Sequence, residues 1–358
     1  MTTSNALKTS PSLLLLLCIT LLLSGCMRST TMRVLQPAQM KVPEHITKVA
    51  VVDRSKPSNG WLNVLEGLFT GEAIGQDRRS RQEAVAGLTD ALTRTPRFNV
   101  VSTGIELAGS KAGSNMPPPL AWEEVERICG DYSTDAIVTI ESFDSDNYVN
   151  VRRNDERKKD KNGKQYTVTT FNASQRTSVR MGWRLYDPKS RAILDEFVTD
   201  DYLERNAHGN TEQGARSGLP SQVSVTRDVA FNVGIEYGAR IAPIYVNLSR
   251  QYYGKAKGFK EQMSKATRYA QSGDWDRAAA IWKDIAERPG NDKKAAGRAA
   301  YNMAVAAEVK GNFDVALVWA QKAWNDYGNK KARSYIYMIR RRQTDANKLE
   351  YQMPGKRV

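Results

Sequence analysis

Between Val179 and Tyr186 the chain alternates strictly, with Val179, Met181, Trp183 and Leu185 set against Arg180, Gly182, Arg184 and Tyr186. That period of two predicts a strand with one buried face. Upstream, Lys48-Val49-Ala50-Val51-Val52-Asp53 and Ala136-Ile137-Val138-Thr139-Ile140 are short continuous apolar runs, the mark of buried strands. Phe98-Asn99-Val100-Val101-Ser102 supplies another strand. Helices are predicted between them. Val85, Leu88 and Leu92 make one apolar face over residues 81–93, ended by Thr95-Pro96, and a second helix covers residues 121–129 after Met116-Pro117-Pro118-Pro119. Asn162-Gly163 predicts a two-residue hairpin turn and Asp187-Pro188-Lys189-Ser190 a type I turn. A helix over residues 221–241 turns Val225, Val229, Val233 and Ile241 inward, and a last strand follows at residues 244–252. The order is β-α-β-α-β-β-β-α-β. Past Tyr253-Gly254-Lys255-Ala256-Lys257-Gly258 every strong signal is helical and rich in alanine.

Residues 13–23 are apolar except for Thr20, too short for the roughly twenty residues of a bilayer-spanning helix. Lys8 precedes the run and Ser24 and Gly25 follow it, the order of a cleaved secretory signal. Leu23-Ser24-Gly25-Cys26 resembles the lipobox of bacterial lipoproteins. The resemblance implies cleavage before Cys26 and acylation of its thiol, which ties the chain to a membrane. Met27 is not aspartate, so the outer membrane is the expected destination. Residues 26–47 read as a polar tether.

Composition narrows the chemistry. The chain has a net charge of +14, which becomes +13 without residues 1–25, and a basic surface suits anionic lipid, polyanionic glycan or a solvated face. An exported chain is not expected to serve nucleic acid. Among three cysteines, Cys18 leaves with the signal, Cys26 carries lipid and Cys129 stands alone, so no internal disulfide is available. His45 and His208 are the only histidines, which leaves neither a zinc cluster nor the material of a catalytic triad. No cofactor or metal is expected, and an enzyme acting on cell-wall glycan, through acids such as Asp53 and Glu72, is the weakest of three readings.

The succession VAVVDR, LTDALTRTPRFNVVS, CGDYSTDAIVTIESF and VRMGWRLYDPKSRAILDEF resembles the domain shared by curli-secretion and penicillin-binding-protein-activator lipoproteins, over residues 48–245. This implies an α/β sandwich that binds envelope proteins and carries no catalytic residues. Asp53-Arg54 departs from the family's usual proline, and Trp61 to Gly75 reads as an insertion with glycines at every fourth position. Long hairpins of the curli domain form a membrane barrel, but here polar residues fall on both parities of the hairpin within residues 144–186, which disfavours a pore.

Gly273-Asp274-Trp275-Asp276-Arg277-Ala278 and Gly311-Asn312-Phe313-Asp314-Val315-Ala316 match position by position. Both resemble the turn of a tetratricopeptide repeat, with Asp274 and Asn312 capping the second helix of each pair. A closing helix over residues 331–350 is expected to turn Arg340, Arg341 and Arg342 to water. Such pairs either brace the sandwich or offer a groove, whose expected partner-binding positions are Lys260, Met263, Arg298, Tyr301 and Val305.

The sequence thus predicts an α+β N-terminal domain, an α/β sandwich over residues 48–253, followed by an all-α helical-hairpin repeat domain over residues 257–350. The expected role is that of a lipid-anchored envelope protein that binds or scaffolds other envelope proteins, in the outer membrane facing the periplasm. The alternative is a subunit of an outer-membrane secretion or assembly complex, in which case copies of the chain associate.

Overall fold

The computed structural model describes residues 27–56, 71–109, 116–288, 290 and 292–354. The predicted signal, Cys26 and most of the Trp61 to Gly75 insertion lie outside the described residues. The chain forms two compact units. Among the described residues, an α/β unit comprises Pro37–Ile244 with residues 352–354, and a helical unit comprises residues 27–36 with Tyr245–Tyr351.

In the α/β unit the predicted apolar runs become β2 (Lys48–Lys56), β3 (Asn99–Ala108) and the start of β4 (Ala136–Lys159), joined to β5 (Gln165–Asp187) and β6 (Ala192–Gly209). The sheet order is β3-β2-β4-β5-β6. β2 runs parallel to β3 and β4, and β4, β5 and β6 are successively antiparallel. One face carries α1 (Gly71–Thr93) and α4 (Gln222–Ile241), which bury Leu88, Leu92, Val229 and Val233 against Val49, Val138 and Trp183. The other face is covered by α2 (Trp122–Tyr132), whose Val125, Ile128 and Cys129 meet Ala50, Ile137 and Tyr186. From Met181 to Tyr186 the strand is buried on both faces, because α2 and the Met116-Pro117-Pro118-Pro119 segment cover the side predicted to be wet, while Arg180 stays exposed as expected. α1 and α4 approach closely at glycines. A Cβ on Gly87 would lie 2.0 Å from the carbonyl oxygen of Phe231, and one on Gly234 2.1 Å from that of Ala84.

The expected tether is structured instead. Residues 27–36 form β1 (Met27–Gln36), and residues 37–47 pack on the α/β unit through buried Val42 and Ile46. The Arg97 guanidinium holds that stretch by donating to the carbonyls of Val42, Pro43 and Ile46. β7 (Ile244–Tyr253), predicted to close the sandwich, instead forms a separate two-stranded sheet with β1.

The hairpin turn also differs from the predicted two-residue form. Only Gly163 has positive φ, at 80°, and Asp160 Oδ1 accepts from the backbone N–H groups of Asn162 and Lys164. The aspartate side chain thereby selects a three-residue loop with glycine in the left-handed position. A six-residue helix, α3 (Glu212–Ser217), follows β6.

The helical unit contains α5 (Lys260–Gln271), α6 (Trp275–Glu287), α7 (Lys293–Val309), α8 (Phe313–Asn325) and α9 (Lys330–Gln352). The two matched turns fold identically. Gly273 and Gly311 take φ of 82° and 75°, and Asp274 and Asn312 accept from the third backbone N–H beyond them, at Arg277 and Val315. Trp282, Ala304 and Ala320 are fully buried in the core that results.

Candidate functional site

On the α/β unit, a groove of about 650 Å³ lies beside edge strand β3, lined by Val51, Asp53, Val85, Thr89, Ile105 and Glu106 among others. Asp53 sits at the end of β2's apolar run and its carboxylate is fully engaged. Oδ1 accepts from the Ser55 backbone N–H (2.9 Å) and hydroxyl (2.6 Å), and Oδ2 pairs with Arg81 (3.3 Å). Glu106 is paired with Arg78. The side chain of Glu72 lies outside the described residues.

Glu141, wholly buried on β4, organises the sheet beneath α2. It accepts from Arg54 Nη1 (2.8 Å), Thr139 Oγ1 (2.6 Å) and Tyr186 OH (2.8 Å), while Arg184 Nη1 lies 3.4 Å away. The same two guanidiniums donate to the carbonyls of Pro118 and Pro117. Burial, reinforced by the Glu141 carboxylate, pushes the Tyr186 phenol up to about 12. This is a sealed network that pins the proline segment to the sheet, and it offers no open coordination site. Among the described residues no group of three His, Cys, Asp or Glu side chains is placed to hold a metal ion.

The sheet's most exposed feature is the far part of β4, β5 and β6. On one face the register aligns Asp144, Arg180 and Asp200 in a row, and at every second row beyond it Tyr148, Arg176 and Glu204, then Arg152, Asn172 and His208. Arg176 stacks over Tyr202 at 3.8 Å. On the other face, Ala173 and Ala207 are covered by Ala215 of α3. Beyond Phe171 and Gly209, β4 and β5 continue as a two-stranded tip whose residues 152–167 are all exposed. Neither face carries an apolar band, as polar residues on both parities predicted.

In the helical unit the expected groove positions are mostly interior. Met263, Tyr301 and Val305 belong to the core at 0, 5 and 0 % exposure. The reason is β7, which lies on the helices. Asn302, itself buried, accepts from Tyr253 N–H and donates to Tyr253 C=O, both at 2.7 Å. Tyr301 then sits between Tyr253 and Tyr335, with centroids 5.5 and 5.0 Å away. Arg298 donates to the Lys255 carbonyl and Lys260 alone of the five is fully exposed. A surface expected to take a peptide in trans holds a strand of its own chain.

Arg342 likewise departs from its expected solvent position. Glu308 on α7 is fully buried, takes two hydrogen bonds from Arg250 (both 2.7 Å) and one from Tyr335, and has Arg342 Nε 3.9 Å away. Burial and then the Glu308 charge raise the Tyr335 phenol, and burial lowers Arg342. Sequence reasoning missed Glu308 and Asn302 alike; the signal was a polar residue inside an alanine-rich helical run.

The model of a domain of unknown function, DUF8603, matches residues 46–253. The chain belongs to this family. The DUF8603 match runs from the start of β2 to the end of β7, and a second domain of unknown function, DUF6340, matches residues 264–351, within the five helices. No curated protein matches the chain. Two solved structures are similar to part of the chain. The PelC dodecamer from Paraburkholderia phytofirmans is 12 % identical, covering 60 % of this chain and 99 % of that one at a TM-score of 0.25. A homologue of the neuraminyllactose-binding hemagglutinin from Helicobacter pylori is 13 % identical, covering 57 % and 89 % at a TM-score of 0.23. At these scores neither passes its description to the DUF8603 chain.

Proposed function

We propose that the chain is a lipid-anchored protein of the bacterial envelope that holds other envelope proteins rather than turning over a substrate, with the β4–β5–β6 ribbon as its main contact surface. The observation that carries this reading is the ribbon itself. Its rows of alternating charge and tyrosine extend past the described helices of the α/β unit, so their length serves no core of that unit. Exposed tyrosines and arginines at Tyr148, Arg176 and Tyr202 are the residue types that anchor protein interfaces. The acids of the β3 groove, by contrast, are satisfied by neighbouring side chains.

The anchor part of the reading is supported by the Leu23-Ser24-Gly25-Cys26 sequence that follows the apolar run. The choice of the outer membrane is supported by Met27, which is not the aspartate of an inner-membrane retention signal. Photo-crosslinking from position 148 or 166 in the native envelope tests the ribbon: discrete adducts that vanish on shortening the ribbon are expected, and their absence at every ribbon position would overturn the assignment. Labelled palmitate tests the anchor, with incorporation expected in the natural chain and none in Cys26→Ser.

A further inference from the structure

α9 is the last helix of the helical unit, and among the described residues of that unit no further helix covers its outward face. At about 100° per residue, Lys330, Arg333, Tyr337, Arg340, Arg341 and Lys348 fall within an arc of about 100° on one side of the helix. All six are exposed, Tyr337 by 65 %. The helix's two acids, Asp345 and Glu350, lie off this arc on opposite flanks. The buried side is built from Ala332, Tyr335, Ile339 and Leu349. The result is an amphipathic helix whose polar side is a single-sign cationic stripe with a tyrosine in it.

We infer that this face of α9 rests on an anionic bilayer surface and orients the helical unit there. Two observations select a membrane as the occupant. The first is charge complementarity, since clustered Lys and Arg with an interleaved tyrosine suit a layer of anionic headgroups and the interface beneath them. The second is the short stretch of chain between Cys26 and the face of the helical unit that holds α9. β1 starts at Met27, one residue after Cys26, and β1 and α9 together line a cleft of about 260 Å³ through Val34, Gln36, Met338 and Arg341. At about 3.3 Å per strand residue, Val34 lies no more than about 30 Å along the chain from Cys26. The helical unit, including α9, is thereby leashed to the membrane with no intervening tether. The inference deepens the anchored reading and rests on it for that second argument; the acyl chains supply the apolar part of the attachment and α9 the electrostatic part.

The test uses the full exported chain carrying Cys26→Ser, so that binding is measured without acyl chains. Co-sedimentation with phosphatidylglycerol vesicles is expected, weakening with salt, and much less with phosphatidylcholine vesicles. The pair Arg340→Glu with Lys348→Glu is expected to weaken vesicle binding by more than roughly 25-fold, about five-fold for each cation lost with the repulsion of two new carboxylates added. Lys293→Glu with Lys294→Glu, the same change of net charge on the exposed first turn of α7, is expected to leave binding unchanged. The neutral pair Arg340→Gln with Lys348→Gln repeats the measurement should the reversed pair fail to fold. Equal loss from the α7 and α9 pairs, indifference to lipid charge, or no vesicle binding overturns the inference. So does tighter binding of a soluble uronate polysaccharide that the α9 substitutions abolish, which makes the face a glycan site. Palmitate labelling of the natural chain reports on the anchor separately, so failure of one is not read as failure of the other.

Discussion

Asp135 stands just before β4 and joins it to the start of β2. Its Oδ2 accepts from Thr47 N–H (2.8 Å), Thr47 Oγ1 (2.9 Å) and Lys48 N–H (2.8 Å). Burial works to raise this carboxyl, but the hydrogen bonds from Thr47 and Lys48 outweigh it and hold the group below its ordinary value. Asp187 is lowered in the same way, against burial, by Ser190, His45 and the Lys189 N–H. A depressed carboxyl contributes stability that is complete above its unfolded value near about pH 4 and is lost as pH falls through the folded value. The melting temperature of the α/β unit is therefore expected to decline on acidification from about pH 5 to about pH 2.5, and Asp135→Asn to flatten that decline while lowering stability at neutral pH. Calorimetry across the range checks both. Glu308 is a residue of another kind: removing its charge leaves Arg250 and Arg342 facing a neutral amide inside the helical unit. Glu308→Gln is expected to cost about 3 kcal/mol, read as a lower denaturation midpoint.

Elements in this molecule are set by local signals at their ends and by long-range contacts along their faces. Asn302 illustrates the second. It replaces a sheet partner for β7 by meeting both backbone groups of Tyr253, so Asn302→Ala leaves an N–H and a C=O of that strand without these bonds. The expected cost is about 2 kcal/mol, with faster hydrogen exchange at the Tyr253 amide as the specific readout. Likewise Gly234→Ala places a methyl against the Ala84 carbonyl of α1 and is expected to cost about 2 kcal/mol through forced separation of the two helices. The helix caps were legible in the sequence because glycine followed by Asp274 or Asn312 is a local device with one geometry. The burial of Leu88, Val229 and Trp183 was legible for a similar reason, since periodicity reports which face is wet. β1 was not, because Met27–Gln36 is mixed in polarity and gains its partner, β7, from more than two hundred positions away. The interior place of Tyr301 and Met263 was hidden by the same fact: only when β7 lies on the helices does their outward-looking face become core.

At the scale of the whole chain, a net charge of +14 says little until the structure distributes it. Buried arginines at positions 54, 81, 97, 184 and 250 are spent on carboxylates and carbonyls inside the units. Of the cations left on the surface, one group lies on the ribbon tip and another on the outer face of α9, with the rest spread over other elements, such as Lys260 and Lys265 of α5 and Lys293 and Lys294 of α7. The fold class and the succession of elements along the chain as far as α4 could be read in advance, apart from β1 and the short α3, whereas the extent of the ribbon past its supporting helices could not, because a strand's length gives no indication of what covers it. That separation between what folds the α/β unit and what projects from it can be tested directly. Residues 155–169 contain no buried side chain, and their ion pairs, Arg153 with Asp155 and Lys158 with Glu156, are exposed on both sides and worth little. Replacing that stretch by Asn-Gly, a turn matched to the opposed Asn154 and Thr170, removes the tip without cutting the part covered by α3. The melting temperature is expected to stay within a few degrees of the parent, because less than about 1 kcal/mol is at stake. Adducts formed from position 148, which the shortened chain retains, are expected to fall sharply, since the partner's hold extends over the missing rows. A shortened chain that melts normally and still yields the full set of adducts would restrict the contact to the rows nearest the core, at Asp144, Tyr148, Arg176 and Arg180, and would remove the tip from the proposed surface.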